Sequence, residues 1–212
     1  MQRLLLILIY KGLMPLLLRL VGVKTLRKTN FKEVKQFIIV ANHNSHVDTM
    51  VLLSSLPISH LMRTHPVATA TYFGKKKWLE LLSNLFVNTV LIQRREEKTP
   101  ETDQGKALER LMKKLEQGHS LIFFPEGSRG EPEQMQAFRK GIGVLLQKFP
   151  HIPFIPVYLK GMGKILPKGS LLPVPYDAQV YFGDPTFCQH NTVEEIVAEV
   201  EREIVALKNR LS

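Results

Sequence analysis

From residue 36 to residue 210 the chain alternates short apolar runs with longer stretches whose apolar residues recur at helical spacing. Few folds accept that pattern. Strands that are apolar on both faces need cover on both sides, and helices inserted between successive strands supply it. The runs at 36–41, 66–70, 89–92, 120–124, 154–159 and 179–182 read as strands. The stretches at 47–56, 75–85, 99–117, 140–148 and 192–210 read as helices. Local punctuation agrees. Thr99 can cap, Pro100 suits a first turn, and Glu101 and Asp103 favour a helix N-terminus. Gly118 and Pro150 are stops, and Thr192 is a cap for the last helix. The fold class read here is α/β: a mixed central sheet flanked by helices. A chain of 212 residues buries one such core without covalent staples.

The N-terminus departs from this alternation. Residues 4–10 are all apolar and 13–23 nearly so, but Lys11 and Arg19 interrupt the run and Pro15 sits within it. A bilayer span takes about 20 apolar residues. On a helical wheel Arg3, Lys11 and Arg19 fall within an arc of roughly 160°, with Leu and Ile over most of the rest. We read a helix bent at Pro15, lying in the membrane interface with its cations toward the headgroups. A cleaved signal peptide, for which no small-x-small site follows closely, a true span, which would place Lys11 mid-membrane, and a core helix of a soluble protein are the competing readings. Lys24, Arg27, Lys28, Lys32 and Lys35 follow, as a basic collar beside an anionic leaflet would. The domain division is therefore 1–24 as an amphipathic membrane-anchoring segment and 25–212 as the α/β domain.

Charge bears on partners. Lys plus Arg total 29 against 19 acids, a net +10, which attracts anionic lipid, phosphorylated ligands or nucleic acid. The basic residues cluster beside an apolar helix and no recognised nucleic-acid motif is present, which favours lipid. Trp78 beside Lys75, Lys76 and Lys77 fits an interfacial anchor or an ordinary core tryptophan. The single cysteine, Cys188, excludes an intrachain disulfide framework and points to a reducing compartment.

The chemistry concentrates at strand ends. Asn42-His43-Asn44-Ser45-His46-Val47-Asp48 leaves one strand and enters a helix. In an unbroken helix His43 and Asp48 would point about 140° apart. Across a turn the carboxylate can reach the imidazole, fix its tautomer and leave the other nitrogen as a base. A Gly-x-Ser-x-Gly elbow is absent, so the substrate's own hydroxyl is the expected nucleophile. A metal reading of His43-x-x-His46-x-Asp48 is an alternative that lacks a partnering motif elsewhere. Phe123-Phe124-Pro125-Glu126-Gly127-Ser128-Arg129-Gly130 follows a second strand. Its glycines admit a close ligand, and Arg129 offers a fork suited to phosphate. Glu126 would repel phosphate and is expected to orient Arg129 or bond a ligand hydroxyl. Gln93-Arg94-Arg95 ends a third strand, and Lys140-Gly141 and Ile155-Pro156-Val157 complete the set.

In this order the blocks resemble the glycerolipid acyltransferases of the 1-acylglycerol-3-phosphate (lysophosphatidate) acyltransferase family. They run from about residue 42 to residue 161. Two departures stand in the second block, where the family has a glycine at Asn88 and an acidic residue at Gln93. The resemblance implies a membrane-associated enzyme at the cytoplasmic face. It would move a fatty acyl group from acyl-CoA or acyl-carrier protein to a lysophospholipid hydroxyl, with lysophosphatidate the default acceptor. It implies His43 as general base, Asp48 as its orienting partner, Arg94 at the acceptor's phosphate, and Glu126, Gly127, Ser128 and Arg129 shaping the acceptor site. Lys140 and Pro156 fall to donor binding or architecture. No metal and no bound cofactor are expected. A different acceptor such as a lyso-aminolipid, and a membrane-peripheral lipid-binding protein, are the alternatives.

Overall fold

The computed structural model describes residues 2–27, 29–69, 90–92, 102–131, 133–167, 170 and 172–210. Among the described residues seven strands form one sheet in the order β1-β7-β6-β2-β5-β3-β4. They are β1 (Val23–Arg27), β2 (Ile38–Ala41), β3 (Thr64–Thr69), β4 (Val90–Ile92), β5 (Ser120–Phe123), β6 (Phe154–Lys160) and β7 (Ala178–Phe182). All neighbours are parallel except β6 and β7. The expected strands are therefore present, each within a residue or two of its predicted ends.

The central strands are buried on both faces, and their side chains alternate between two apolar layers. From β2, Ile39 and Ala41 enter one layer while Ile38 and Val40 enter the other. The first layer is closed by α1 (Gln2–Ile7), α2 (Met14–Leu20) and α3 (Val47–Ser55), and by two single turns, α4 (Ile58–Leu61) and α7 (Met162–Ile165). The second is closed by α5 (Thr102–Glu116), α6 (Gly141–Lys148) and α8 (Val193–Asn209). Thr192 caps α8 as its position predicts, accepting from the Glu195 N–H at 3.4 Å. The predicted helix over 75–85, with Trp78 and Lys75–Lys77, lies outside the described residues.

Two expectations need correction. The N-terminal segment is helical, but the distortion lies ahead of Pro15. A π-helical stretch, Leu8–Leu13, joins α1 to α2, and the Met14 N–H reaches back to the Ile9 carbonyl. Proline has no N–H and its ring crowds the carbonyl four residues back, so the turn before it widens. Lys11 does not face outward with Arg3 and Arg19. Its ammonium caps the carboxyl end of α3 on the Ser54 carbonyl at 2.6 Å and on the Leu56 carbonyl. Three to four free carbonyls at a helix end are a stronger sink for that charge than the apolar side of its own helix. The basic collar is also ordered from its first residue. Val23–Arg27 is an edge strand, and Lys24 pairs with Asp177 at 2.8 Å. Among the described residues no helix is long and apolar enough to cross a membrane.

Candidate active site

From β2 the chain passes to β3 on one side of the sheet, and from its neighbour β6 it passes to β7 on the other. Sheets of this kind bind ligands beyond the carboxyl ends of the strands where the connections diverge. Asn42 marks the exit. Its side-chain amide takes the next ladder position, donating to the Leu159 carbonyl at 2.8 Å and accepting from the Leu159 N–H at 2.7 Å. The backbone is thereby released from the sheet, and His43 emerges at the strand end.

The next five residues curl as the sequence predicts. His43 Nδ1 lies 3.0 Å from Asp48 Oδ2. The same oxygen accepts the N–H groups of Asn44 at 2.7 Å and Ser45 at 2.8 Å. Asp48 sits in the first turn of α3 and reaches back over the turn ahead of it, the reciprocal geometry of a capped helix start. Its side chain is fully buried, whereas that of His43 is 18% exposed. The carboxylate is thus fixed by the backbone, and it fixes the imidazole. Phe124 completes the setting by stacking on the ring at 4.1 Å between centroids and 21° between planes. Among the described residues nothing hydrogen-bonds His43 Nε2.

The loop after β5 braces this turn. Glu126 is buried at 1% exposure. Its Oε1 accepts the His43 N–H at 3.0 Å and its Oε2 accepts the Gln136 N–H at 3.2 Å. Burial pushes the Glu126 carboxyl upward, and the two N–H donors oppose the shift. In return the Gly130 N–H donates to the His43 carbonyl at 3.1 Å. Gly127 is left-handed at φ 72°, and a Cβ there would meet the Arg139 guanidinium at 2.8 Å. Only glycine suits that turn. Ser128 is at the surface of this loop, its hydroxyl 3.5 Å from the Gln136 side-chain oxygen. Arg129 and His43 both lie close enough to His46 to disfavour its charge. With burial as the larger cause, they hold His46 down at about 4.

Other predicted positions are dispersed. Arg94 lies outside the described residues, two positions past the end of β4. Lys140 precedes α6 and pairs with Glu194 at 2.6 Å, both side chains well exposed. Pro156 is inside β6, opposite Val40 of β2. Its carbonyl accepts the Gly183 N–H at 2.7 Å, just past the end of β7, and the pairing resumes between Phe154 and Thr186. Among the described residues no group of three His, Cys, Asp or Glu side chains is placed to hold a metal. Sequence reasoning passed over Phe124, Gln136 and the structural use of Ser45, whose hydroxyl donates to the Leu166 carbonyl at 3.1 Å. Spacing carries no sign of these contacts, which cross up to 121 residues of chain.

Fold and site together define an α/β protein with a His–Asp dyad held at the carboxyl end of a central strand. The chain belongs to the acyltransferase family, whose model matches residues 22–160. It is 39% identical over 67 residues to the chloroplastic 1-acyl-sn-glycerol-3-phosphate acyltransferase BAT2 of Brassica napus, across 32% of this chain and 19% of that protein. It is 28% identical over 162 residues to 1-acyl-sn-glycerol-3-phosphate acyltransferase of Limnanthes douglasii, across 76% of this chain and 54% of that protein. The chain thus spans about half the length of the Limnanthes relative. Its fold is that of the 1-acyl-sn-glycerophosphate (LPA) acyltransferase PlsC of Thermotoga maritima. The TM-score is 0.62 at 22% identity, over 94% of this chain and 80% of that one.

Proposed function

We propose that this protein transfers a fatty acyl group from a thioester donor to the free hydroxyl of lysophosphatidate, with His43 as the general base. The observation that carries the reading is the dyad: Nδ1 held at 3.0 Å by a buried carboxylate, with the ring edge reaching the surface at a strand end. A carboxylate on Nδ1 keeps the proton there, so Nε2 presents its lone pair. Nε2 takes the hydroxyl proton as the substrate oxygen attacks the thioester carbonyl. The tetrahedral intermediate expels the donor's thiolate, which recovers the proton from the imidazolium. The balance closes without an acyl-enzyme. General base catalysis of this kind is worth about 10²–10⁴-fold, positioning and electrostatics supplying the remainder. The names of the relatives support lysophosphatidate as acceptor, and Arg129 and Arg94 are the groups assigned to its phosphate. The donor is acyl-CoA or acyl-carrier protein.

The membrane enters on the exposed side of the N-terminal helices. Leu4, Leu8, Leu16 and Leu20 are 64%, 60%, 67% and 75% exposed. With Lys11 drawn inward to α3, that side is more apolar than the wheel predicts, and it suits the headgroup–acyl boundary.

Thiol release from acyl-CoA with lysophosphatidate in mixed vesicles tests the reaction. His43→Ala is expected to lower kcat/KM by about 10²–10⁴-fold without changing the melting temperature or vesicle binding. Near-normal turnover in that variant would end the mechanism. Arg94→Ala and Arg129→Ala are expected to raise the acceptor KM more than they lower kcat, and unchanged acceptor KM in both would remove them from the phosphate site.

A further inference from the structure

The segment between α7 and β7 carries no charge from residue 169 to residue 176, Gly-Ser-Leu-Leu-Pro-Val-Pro-Tyr. Within it Leu172, Val174 and Tyr176 are 77%, 55% and 40% exposed. Three large apolar side chains held in water on one short loop mark a contact surface. The loop is fixed in place. The Val174 N–H donates to the Ile165 carbonyl at 2.8 Å and the Tyr176 N–H to the Val21 carbonyl at 3.0 Å. Pro173 and Pro175 fix two further φ angles, so little ordering is left to lose on binding. Gly22, at φ 88°, allows the end of α2 to press against the Tyr176 backbone, where a Cβ would collide with its carbonyl.

Topology sets where this surface lies. β7 and β1 run opposite to β6, β2 and β5, so their starts share an end of the sheet with the strand ends that carry His43 and Glu126. The loop and the end of α2 are therefore on the catalytic side. The Ser45 hydroxyl, inside the His43 turn, bonds Leu166 at the loop's root. The chemistry favours a lipid surface. The apolar tip continues onto Leu17 and Leu20 of α2, which are 42% and 75% exposed. Behind the tip Lys164 places its ammonium 2.9 Å from the Tyr176 hydroxyl and 4.8 Å from the ring centroid. An apolar tip with a tyrosine and a cation at its base matches the depth profile of an anionic leaflet. Asp177, the acid at this rim, is neutralised by Lys24 at 2.8 Å.

We propose that residues 172–176 form a second membrane-contacting element, which enters the interface beside α2 and sets the bilayer against the mouth of the His43 site. The proposal rests on the reading of the N-terminal helices as membrane-facing, and the experiment separates the two. In full-length protein carrying Cys188→Ser, Leu172→Cys and Leu16→Cys are each labelled with an environment-sensitive fluorophore. Vesicles of phosphatidylcholine with phosphatidylglycerol are then added. Blue-shifted, brighter emission at both positions is the expected result. A shift at position 16 alone overturns the loop contact and leaves the helices in place. No shift at either overturns both. A shift at position 172 alone keeps the loop and removes the helices. Blue-shifted emission before vesicles are added, with a dimer in sedimentation, identifies a second copy of the chain as the occupant and overturns the lipid assignment. As an independent check, Leu172→Glu with Val174→Glu is expected to weaken vesicle partition by about tenfold or more with the melting temperature unchanged. Unchanged partition overturns the proposal.

Discussion

Asp48, Glu126 and Phe124 divide the work of fixing one imidazole. Asp48 accepts three N–H donors on a single oxygen. Asp48→Asn keeps the shape but offers the ring a weaker or wrongly oriented partner. It should cost about 10²–10⁴-fold in kcat with little change in acceptor KM, measured by thiol release. Glu126 acts through the backbone, and Glu126→Gln sets an amide N–H against one of two backbone donors. Leaving a buried donor unpaired costs about 1–3 kcal/mol, read as a lower urea midpoint at unchanged m-value. His46 adds a pH dependence of known sign. Its folded-state value of about 4 lies below the ordinary 6.5, so the unfolded chain takes up a proton that the folded protein refuses. Stability should therefore fall as pH drops from about 6.5 toward about 4. His46→Gln should flatten that part of the profile in urea melts. Glu126 has the opposite sign, since a raised carboxyl favours folding less as pH rises, and it is common to both proteins.

At the scale of elements, α3 is held at both ends by residues distant in sequence. Its start is tied to the His43 turn through Asp48, and its end is capped by Lys11 from the π-helical stretch. Lys11→Met keeps the stem but removes the charge from those carbonyls. The expected loss is about 1–2 kcal/mol, seen as a lower melting temperature. The N-terminal helices thus have a role in the fold independent of any membrane. The helical wheel alone set Lys11 beside Arg3 and Arg19, because angular position on a helix does not say which neighbouring carbonyls compete for a cation.

At the scale of the molecule, α6 and α8 approach at Gly143, where a Cβ would meet the Val193 carbonyl at 2.6 Å and the side chains of Val193 and Val197 at 2.9 Å. Gly143→Ala must push two helices apart on the face opposite α3. It should destabilise by about 1–3 kcal/mol in urea melts while leaving acceptor KM unchanged, because the dyad stands on the other layer. The net charge of +10 gives a second whole-molecule expectation. Binding to anionic vesicles should weaken as salt rises to about 0.5 M, where charges are screened within a few ångströms, yet persist through the apolar surface.

Local patterning was enough for six of the seven described strands, for the helices over Val47–Ser55, Thr102–Glu116, Gly141–Lys148 and Val193–Asn209, and for the pairing of His43 with Asp48. Each of these rests on near neighbours: period-two and helical patterning, caps, and a turn short enough for a carboxylate to reach back five residues. Contacts across the fold alone place Val23–Arg27 at the sheet edge, Lys11 on α3, Phe124 and Glu126 against the His43 turn, and an uncharged loop near residue 172 at the same end of the sheet. Those contacts join segments far apart along the chain. Burial and unsatisfied backbone groups choose such partners, and neither is written in local spacing.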